Sequence, residues 1–292
     1  MLKRRAIQTL SLLLYNADFG NFKTGTVSKS TLKTACVPGL NCYSCPGAVA
    51  SCPLGALQSA LAEGRLPFLA TGVILLFGVT LGRTVCGFLC PFGLLQELLY
   101  KIPSYKLPKS AVTRRLTLLK YLFLAVLVIA LPLAAFIVQG WGAPFFCEFV
   151  CPAGTLEAAL PLTLADARLR AAAGGLFLWK LGALVAIATL SVFCFRAFCR
   201  FVCPLGALYG LVNRYALFGF RFDAAACNNC GACVKNCKMD TLTVNDRECV
   251  RCGECVRVCP SKAIAVTFSG VSAKTNEKQA ASEPLKPEGE LE

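Results

Sequence analysis

The sequence predicts a mostly α protein: a four-span helical membrane domain arranged as a tandem repeat, followed by a small α+β domain. Three observations predict it. The chain is 56% hydrophobic over 292 residues, too apolar for an ordinary soluble fold. Its apolar residues gather into runs, several of them near the ~20 residues that a bilayer core demands. A short phrase, Cys-Pro-x-Gly followed two places on by Leu, recurs four times around those runs.

Composition narrows the chemistry. Nineteen cysteines stand against no histidine at all, which excludes His-ligated haem, His zinc or copper sites and His acid/base catalysis. Methionine occurs only at Met1 and Met239, so axial Met ligation is disfavoured and no haem is expected. A disulfide-dense secreted scaffold is short and lacks membrane spans. Cysteine thiolate is the one strong metal ligand present, and that favours iron-sulfur clusters. The net charge of +14 is not gathered on one soluble face, so no nucleic-acid partner is expected.

The chain opens with Lys3, Arg4 and Arg5 and a short apolar run, Ala6 to Tyr15, read as a first span because no small-residue cleavage site follows. Residues 16–65 form a loop rich in Gly, Pro and Cys. Further spans are expected from Leu66 to Gly82, Thr117 to Gln139 and Gly174 to Phe195. With the N-terminus inside, inner segments carry thirteen Lys and Arg and the longer outer loops six. That asymmetry predicts a multi-pass protein of a bacterial or archaeal cytoplasmic membrane, N-in and C-in, with lipid as its surroundings. Trp141 suits an interfacial belt, and Lys120 and Lys180 lie where they can snorkel.

The repeated phrases begin at Cys52, Cys90, Cys151 and Cys203. Three have a partner four residues earlier, at Cys86, Cys147 and Cys199; in the first, Ala48 holds that place and Cys36, Cys42 and Cys45 lie upstream. Proline at the first helical position costs nothing, since its amide would be unpaired. The cysteine then sits at a helix mouth, where free N–H groups favour a thiolate or an anionic cluster. A plain helix start after a tight turn explains one such phrase, not four.

On this topology Cys86, Cys90, Cys199 and Cys203 supply one cytoplasmic-side cluster. The outer side holds six candidates for four positions. The preferred set is Cys52, Cys147 and Cys151 with either Cys42 or Cys45; the rival is a self-contained site from Cys36, Cys42, Cys45 and Cys52. Repeat symmetry brings matching cysteines to the centre, as in repeat-built membrane proteins. Cys194 has no partner at motif spacing and is read as packing. Arg83, Arg196 and Arg200 near the inner pairs and Glu148 near the outer ones are either potential-tuning charges or ordinary loop residues.

The C-terminal cysteines run Cys227-x2-Cys230-x2-Cys233-x3-Cys237, then Cys249-x2-Cys252-x2-Cys255-x3-Cys259-Pro260. This is the two-cluster bacterial ferredoxin spacing, in which the fourth cysteine of each run ligates the other cluster. Cys227, Cys230, Cys233 and Cys259 should hold one [4Fe-4S] centre and Cys249, Cys252, Cys255 and Cys237 the second. Zinc sites instead separate two pairs of ligands. Lys238 stands where a proline after the first run is usual, a departure that bears on loop shape. Near-balanced charge from Asp223 to Lys262 points to a docked relay rather than a diffusing carrier. The boundaries are thus a membrane domain over 1–221, an α+β two-cluster bacterial ferredoxin domain over 222–268, and a disordered tail over 269–292.

The Cys-x3-Cys-Pro motifs at span ends, the opening Arg4-Arg5-Ala6-Ile7-Gln8 and the ferredoxin run with Cys237-Lys238-Met239-Asp240 resemble the polyferredoxin-like membrane iron-sulfur proteins of the NapH and NosR type. The resemblance implies membrane electron transfer, either quinol oxidation or supply of electrons to an extracytoplasmic flavin protein or reductase. This chain adds a third Cys-x3-Cys-Pro copy and the cysteine-rich loop at 36–52. Those additions favour an electron-transfer subunit of a membrane oxidoreductase complex that relays electrons from a cytoplasmic donor, through the ferredoxin clusters, to an outer cluster and a redox partner. An FMN-binding protein is the partner that the resemblance suggests. The alternatives are a quinol-linked membrane ferredoxin and a thiol-based redox sensor or maturation factor. No catalytic acid/base residue is expected.

Overall fold

The computed structural model describes residues 2–268; the tail expected to be disordered, 269–292, lies outside them. The chain is mostly helical and divides into two compact units. One takes the chain up to Phe77 together with Val85–Leu208, the other Gly78–Thr84 and the chain from Tyr209 on.

In the first unit two helices are long and apolar enough to cross a membrane, Ala111–Gln139 and Gly175–Phe193. Only 17% and 11% of their most apolar windows are buried, so their Leu, Val and Ile side chains face outward, as lipid contact requires and a soluble core would not. The other two expected spans are shorter: helices Leu2–Tyr15 and Phe68–Thr80, of 14 and 13 residues. The apolar run from Leu66 is cut short where Gly82 turns left-handed at φ +57.

The first long helix starts six residues before its expected position because Ser110 and Thr113 form a reciprocal capping box, which satisfies two otherwise unpaired amides. It ends at Gly140, left-handed at φ 78. Within it, Leu124–Ala130 is wound as a π-helix. Two further π segments occur at Phe146–Val150 and Thr155–Ala159. Each ends two residues before a proline, Pro132, Pro152 or Pro161. A proline donates no hydrogen bond and its ring presses on the carbonyl four residues back, so the preceding turn widens.

Three Cys-Pro phrases of this unit start helices as expected, at Pro53–Ala62, Pro91–Leu99 and Pro152–Gly154, with Cys52, Cys90 and Cys151 as extended N-caps. None of the three caps uses a side-chain acceptor, which leaves the first-turn amides for sulfur. Lys120, expected to snorkel, is instead fully buried against the Tyr121 ring. Lys180 reaches the Cys147 carbonyl at 3.3 Å. Trp141 is exposed as an interfacial residue should be.

The second unit pairs two antiparallel strands, Gly219–Phe222 and Ile264–Thr267, with Phe222 opposite Ile264. Phe220, Val244 and Ile264 form its core, with Cys233, Cys255 and Cys259 packed on it. The two cysteine runs fold alike. Asn229 and Arg251 are left-handed, as are Gly231 and Gly253, and as are Asp240 and Lys262. Each pair is related by the same step in sequence, the step that also separates Cys227 from Cys249 and Cys237 from Cys259. Because only a special local fold holds Arg, Asp or Lys in that region, the matched conformations mark a duplicated half. Arg251 is buried and donates to the carbonyls of Leu81, Phe218 and Asn213, tying Gly78–Thr84 into this unit.

Candidate iron-sulfur centres

The membrane unit draws its cysteines into two sets of four. In one, Cys90 and Cys203 each sense the charges of Cys86 and Cys199, and Cys203 also senses Cys90. In the other, Cys147 senses Cys151, Cys52 and Cys42, Cys42 senses Cys151, and Cys52 senses Cys42. The six thiols expected on the outer side therefore divide. Cys45 neighbours Cys42, yet its sulfur lies 3.5 Å from Asn16 Oδ1. Cys36 is held by Ser51 through an isolated bridge and a side-chain bond.

Loop and helix-start geometry make these sets. The backbone amides of Leu54 and Gly55 point at Cys52, those of Ala153 and Gly154 at Cys151, and that of Gly93 at Cys90; Gly206 N lies 3.4 Å from Cys203 Sγ. The glycine of the phrase leaves room for the neighbour. A Cβ on Gly93 would stand 3.1 Å from the Cys86 carbonyl and 3.3 Å from the Arg196 guanidinium carbon.

Three polar residues that the cysteine spacing does not reveal complete the sites, Gln58 and Gln96 buried and Glu157 half-buried. Gln58 Nε2 donates to Cys147 Sγ at 3.2 Å, and its Oε1 accepts from Phe146 N at 3.0 Å. Gln96 Nε2 donates to Cys199 Sγ at 3.1 Å, and its Oε1 accepts from Phe198 N at 3.0 Å. Glu157 Oε2 accepts from Cys42 N at 2.7 Å, and burial pushes its carboxyl up to about 7. The signal was present: the residue after the phrase's Leu is Gln58, Gln96, Glu157 and Tyr209 in the four copies.

Of the charges expected near the Cys86 set, Arg196 acts on Cys199 and Cys90, whereas Arg200 and Arg83 meet other partners. Arg196, left-handed at φ 53 and fully buried, binds Glu97 and the carbonyls of Cys86 and Gly87; Glu97 is shared with Arg4 at 2.6 Å. Arg200 Nη1 lies 3.6 Å from Cys194 Sγ, and Cys194 packs with Ala197 and Phe201 as anticipated. Arg83 binds Glu248 within the second unit.

The two sets stand side by side. Phe146, beside Cys147, and Phe198, beside Cys199, have ring centroids 6.5 Å apart, and a Cβ on Gly39 would stand 3.2 Å from Cys90 Cα. The cysteine-rich loop and the Cys90 phrase, expected at opposite faces, thus touch. A cavity of about 1100 Å³ borders the Cys42 set, lined also by Leu66, Phe68, Leu69, Glu148 and Lys180.

In the second unit, Cys255 senses Cys249, Cys252 and Cys237, while Cys233 senses Cys227 and Cys230. Cys259 packs on the same core as Cys233 and Cys255, its sulfur 3.6 Å from Ser261 Oγ. Asn229 N and Arg251 N each lie 3.4 Å from the sulfur two residues earlier, Cys227 and Cys249. Thr241 takes Cys237 Sγ at 3.1 Å.

These environments fit iron-sulfur clusters. Burial pushes Cys52 up to about 11 and Cys42, Cys151 and Cys249 up to about 12, so cationic iron must displace the protons. Among the described residues no group of Cys, Asp and Glu is drawn together as for a single metal ion.

Comparison with known proteins agrees. A 4Fe-4S binding domain family matches residues 63–110, 121–160 and 176–224, and a second 4Fe-4S binding domain family matches 242–265. The chain is 32% identical over 181 residues to the regulatory protein NosR of Stutzerimonas stutzeri, covering 58% of this chain and 22% of that protein. It is 33% identical to the methylamine utilization ferredoxin-type protein MauN of Methylorubrum extorquens, covering 63% of this chain and 59% of MauN. The putative electron transport protein YccM of Escherichia coli is 28% identical, over 62% of this chain and half of YccM. This chain therefore spans about a fifth of NosR, half of YccM and three fifths of MauN. No solved structure matches. With its cysteine sets, its duplicated C-terminal run and its matches to two 4Fe-4S binding domain families, the chain belongs to the polyferredoxin-like membrane iron-sulfur proteins.

Proposed function

We propose that this chain is a membrane electron conduit holding four [4Fe-4S] clusters. Two belong to the second unit, ligated by Cys227, Cys230, Cys233 and Cys259, and by Cys249, Cys252, Cys255 and Cys237. Two belong to the membrane unit, ligated by Cys86, Cys90, Cys199 and Cys203, and by Cys42, Cys52, Cys147 and Cys151. When bound, such clusters supply one-electron carriers whose potentials follow charge, hydrogen bonding and burial. The chain fixes the Cys52, Cys90, Cys151 and Cys203 sulfurs at helix starts and sets the two membrane groups side by side. With N-in and C-in orientation, electrons enter at the cytoplasmic ferredoxin unit, pass to the Cys86 set and leave from the Cys42 set to an extracytoplasmic redox partner, for which a flavin protein is the first candidate.

One observation carries this reading. The two four-cysteine sets meet through Phe146 and Phe198, so neighbouring carriers are joined by packed side chains instead of being separated by a bilayer. Iron and sulfide quantitation with EPR on the intact protein tests it: four clusters give about 16 Fe per chain. About 8 Fe would leave the membrane sets as thiols and favour the redox-sensor reading.

The cavity beside the Cys42 set favours a second reading, a quinol-linked ferredoxin. Its size suits an organic ligand, and Leu66, Phe68 and Leu69 at its wall are exposed where lipid would lie. A quinol there would give two electrons singly to the chain and release two protons. Rapid reduction of the clusters by quinol alone supports this reading.

A further inference from the structure

We propose that Gln58 and Gln96 are matched positioning residues, each setting the electron affinity of one membrane cluster through an N–H···S bond to a single cysteine. The inference rests on the cluster assignment above but adds residues outside it.

Each glutamine lies one helical turn inside a Cys-Pro helix, six residues after its cysteine. Neither is exposed beyond 1%. The amide orientation is fixed internally: Phe146 N and Phe198 N are donors and must meet Oε1, so Nε2 is turned to the sulfur. Its remaining contacts are carbonyls of its own helix, Leu54 O at 3.4 Å and Phe92 O at 3.3 Å. The side chain therefore spans two elements. It clamps the amide preceding Cys147 or Cys199 and donates to that cysteine's sulfur.

A neutral donor aimed at a ligand sulfur favours the more negative, reduced state of a cluster, since hydrogen bonds to sulfur raise its potential. Ligand orientation by such outer partners is a general feature of metal sites. The same clamp on the Cys42 set and on the Cys86 set gives each cluster its own handle. The corresponding residues in the other two phrases are Glu157 and Tyr209, neither an amide, so each set carries one glutamine clamp.

Redox titration followed by EPR on the full-length protein in detergent tests this, with each centre identified by the signal that Cys147→Ser or Cys199→Ser perturbs. Two variants are made at each position. Gln96→Leu removes both bonds; Gln96→Glu keeps the acceptor for Phe198 N and removes the amide donor. Both should lower the midpoint of the Cys199 centre alone, the reduced-to-oxidised ratio at fixed poise falling about tenfold, or 59 mV for one electron. Gln58 variants should do the same to the Cys147 centre alone. Loss of one cluster's iron in the Leu variant, with iron kept and the midpoint lowered in the Glu variant, also supports the role. Unchanged midpoints with full iron content, equal shifts in both centres, or loss of all iron in both variants would overturn it. Failure of the cluster assignment itself reads differently: the unsubstituted protein would hold about 8 Fe.

Discussion

Arg196 and Glu97 form an ion pair at the heart of the membrane unit, with Arg196 Nε 2.9 Å from Glu97 Oε1 and side-chain exposures of 0% and 2%. Such a pair is more costly to break than to replace, because removing one partner strands a buried charge. Glu97→Ala strands the fully buried Arg196 charge and removes the carboxylate that Arg4 meets at 2.6 Å. It should destabilise the unit by about 3–5 kcal/mol. The exposed pair Arg65–Glu63 is the control, and Glu63→Ala should cost about 1 kcal/mol or less. Thermal unfolding in detergent compares them, and equal midpoints for the two variants would show that the buried pair has no such role.

The separation of Cys42 from Cys36 and Cys45 is open to direct measurement. Cys42→Ser should remove one membrane cluster, about 4 Fe per chain. Cys36→Ser should leave the iron content unchanged, because the Cys36 side chain is bonded to Ser51. Iron loss in Cys36→Ser with retention in Cys42→Ser would favour the self-contained loop site.

Glu157 holds the Cys42 amide. Glu157→Gln keeps an acceptor and should keep iron at the Cys42 set. Glu157→Leu removes the acceptor of the half-buried Cys42 N–H, at about 1 kcal/mol, and should loosen that cluster. Faster loss of iron to a chelator in the Leu variant than in the Gln variant is the expected readout.

In the second unit, Arg251 occupies a left-handed position and meets three carbonyls from separate segments. Arg251→Met strands those acceptors and keeps the strained backbone, so it should lower the thermal midpoint of this unit. Asn229→Gly, at the matching exposed position, relieves the left-handed strain and should raise stability slightly.

The ferredoxin runs were legible because their ligands are local: fixed spacings such as Cys249-x2-Cys252-x2-Cys255 bring thiols together with little help from elsewhere. The Cys-Pro helix starts were legible for the same reason, since proline and the helix mouth act within one turn. Gln58 and Gln96 were not, although both follow the phrase, because their partners Cys147 and Cys199 are 89 and 103 residues away and no local rule relates them. The capping box at Ser110 was readable yet overridden by the hydropathy of the run after Thr117. Composition alone also could not distinguish Leu66–Gly82 as a span from the shorter helix Phe68–Thr80, since the left-handed turn at Gly82 belongs to packing in the second unit. Contact between the cysteine-rich loop and the Cys90 phrase escaped a reading that assigned loops to faces by charge.

The most direct test of the conduit uses the cluster-loaded protein in sealed vesicles, oriented with the ferredoxin unit inside and given a low-potential donor within and a membrane-impermeant acceptor outside. Reduction of the external acceptor that requires both Cys199 and Cys42 is the expected result. Full iron content with no external reduction would contradict it.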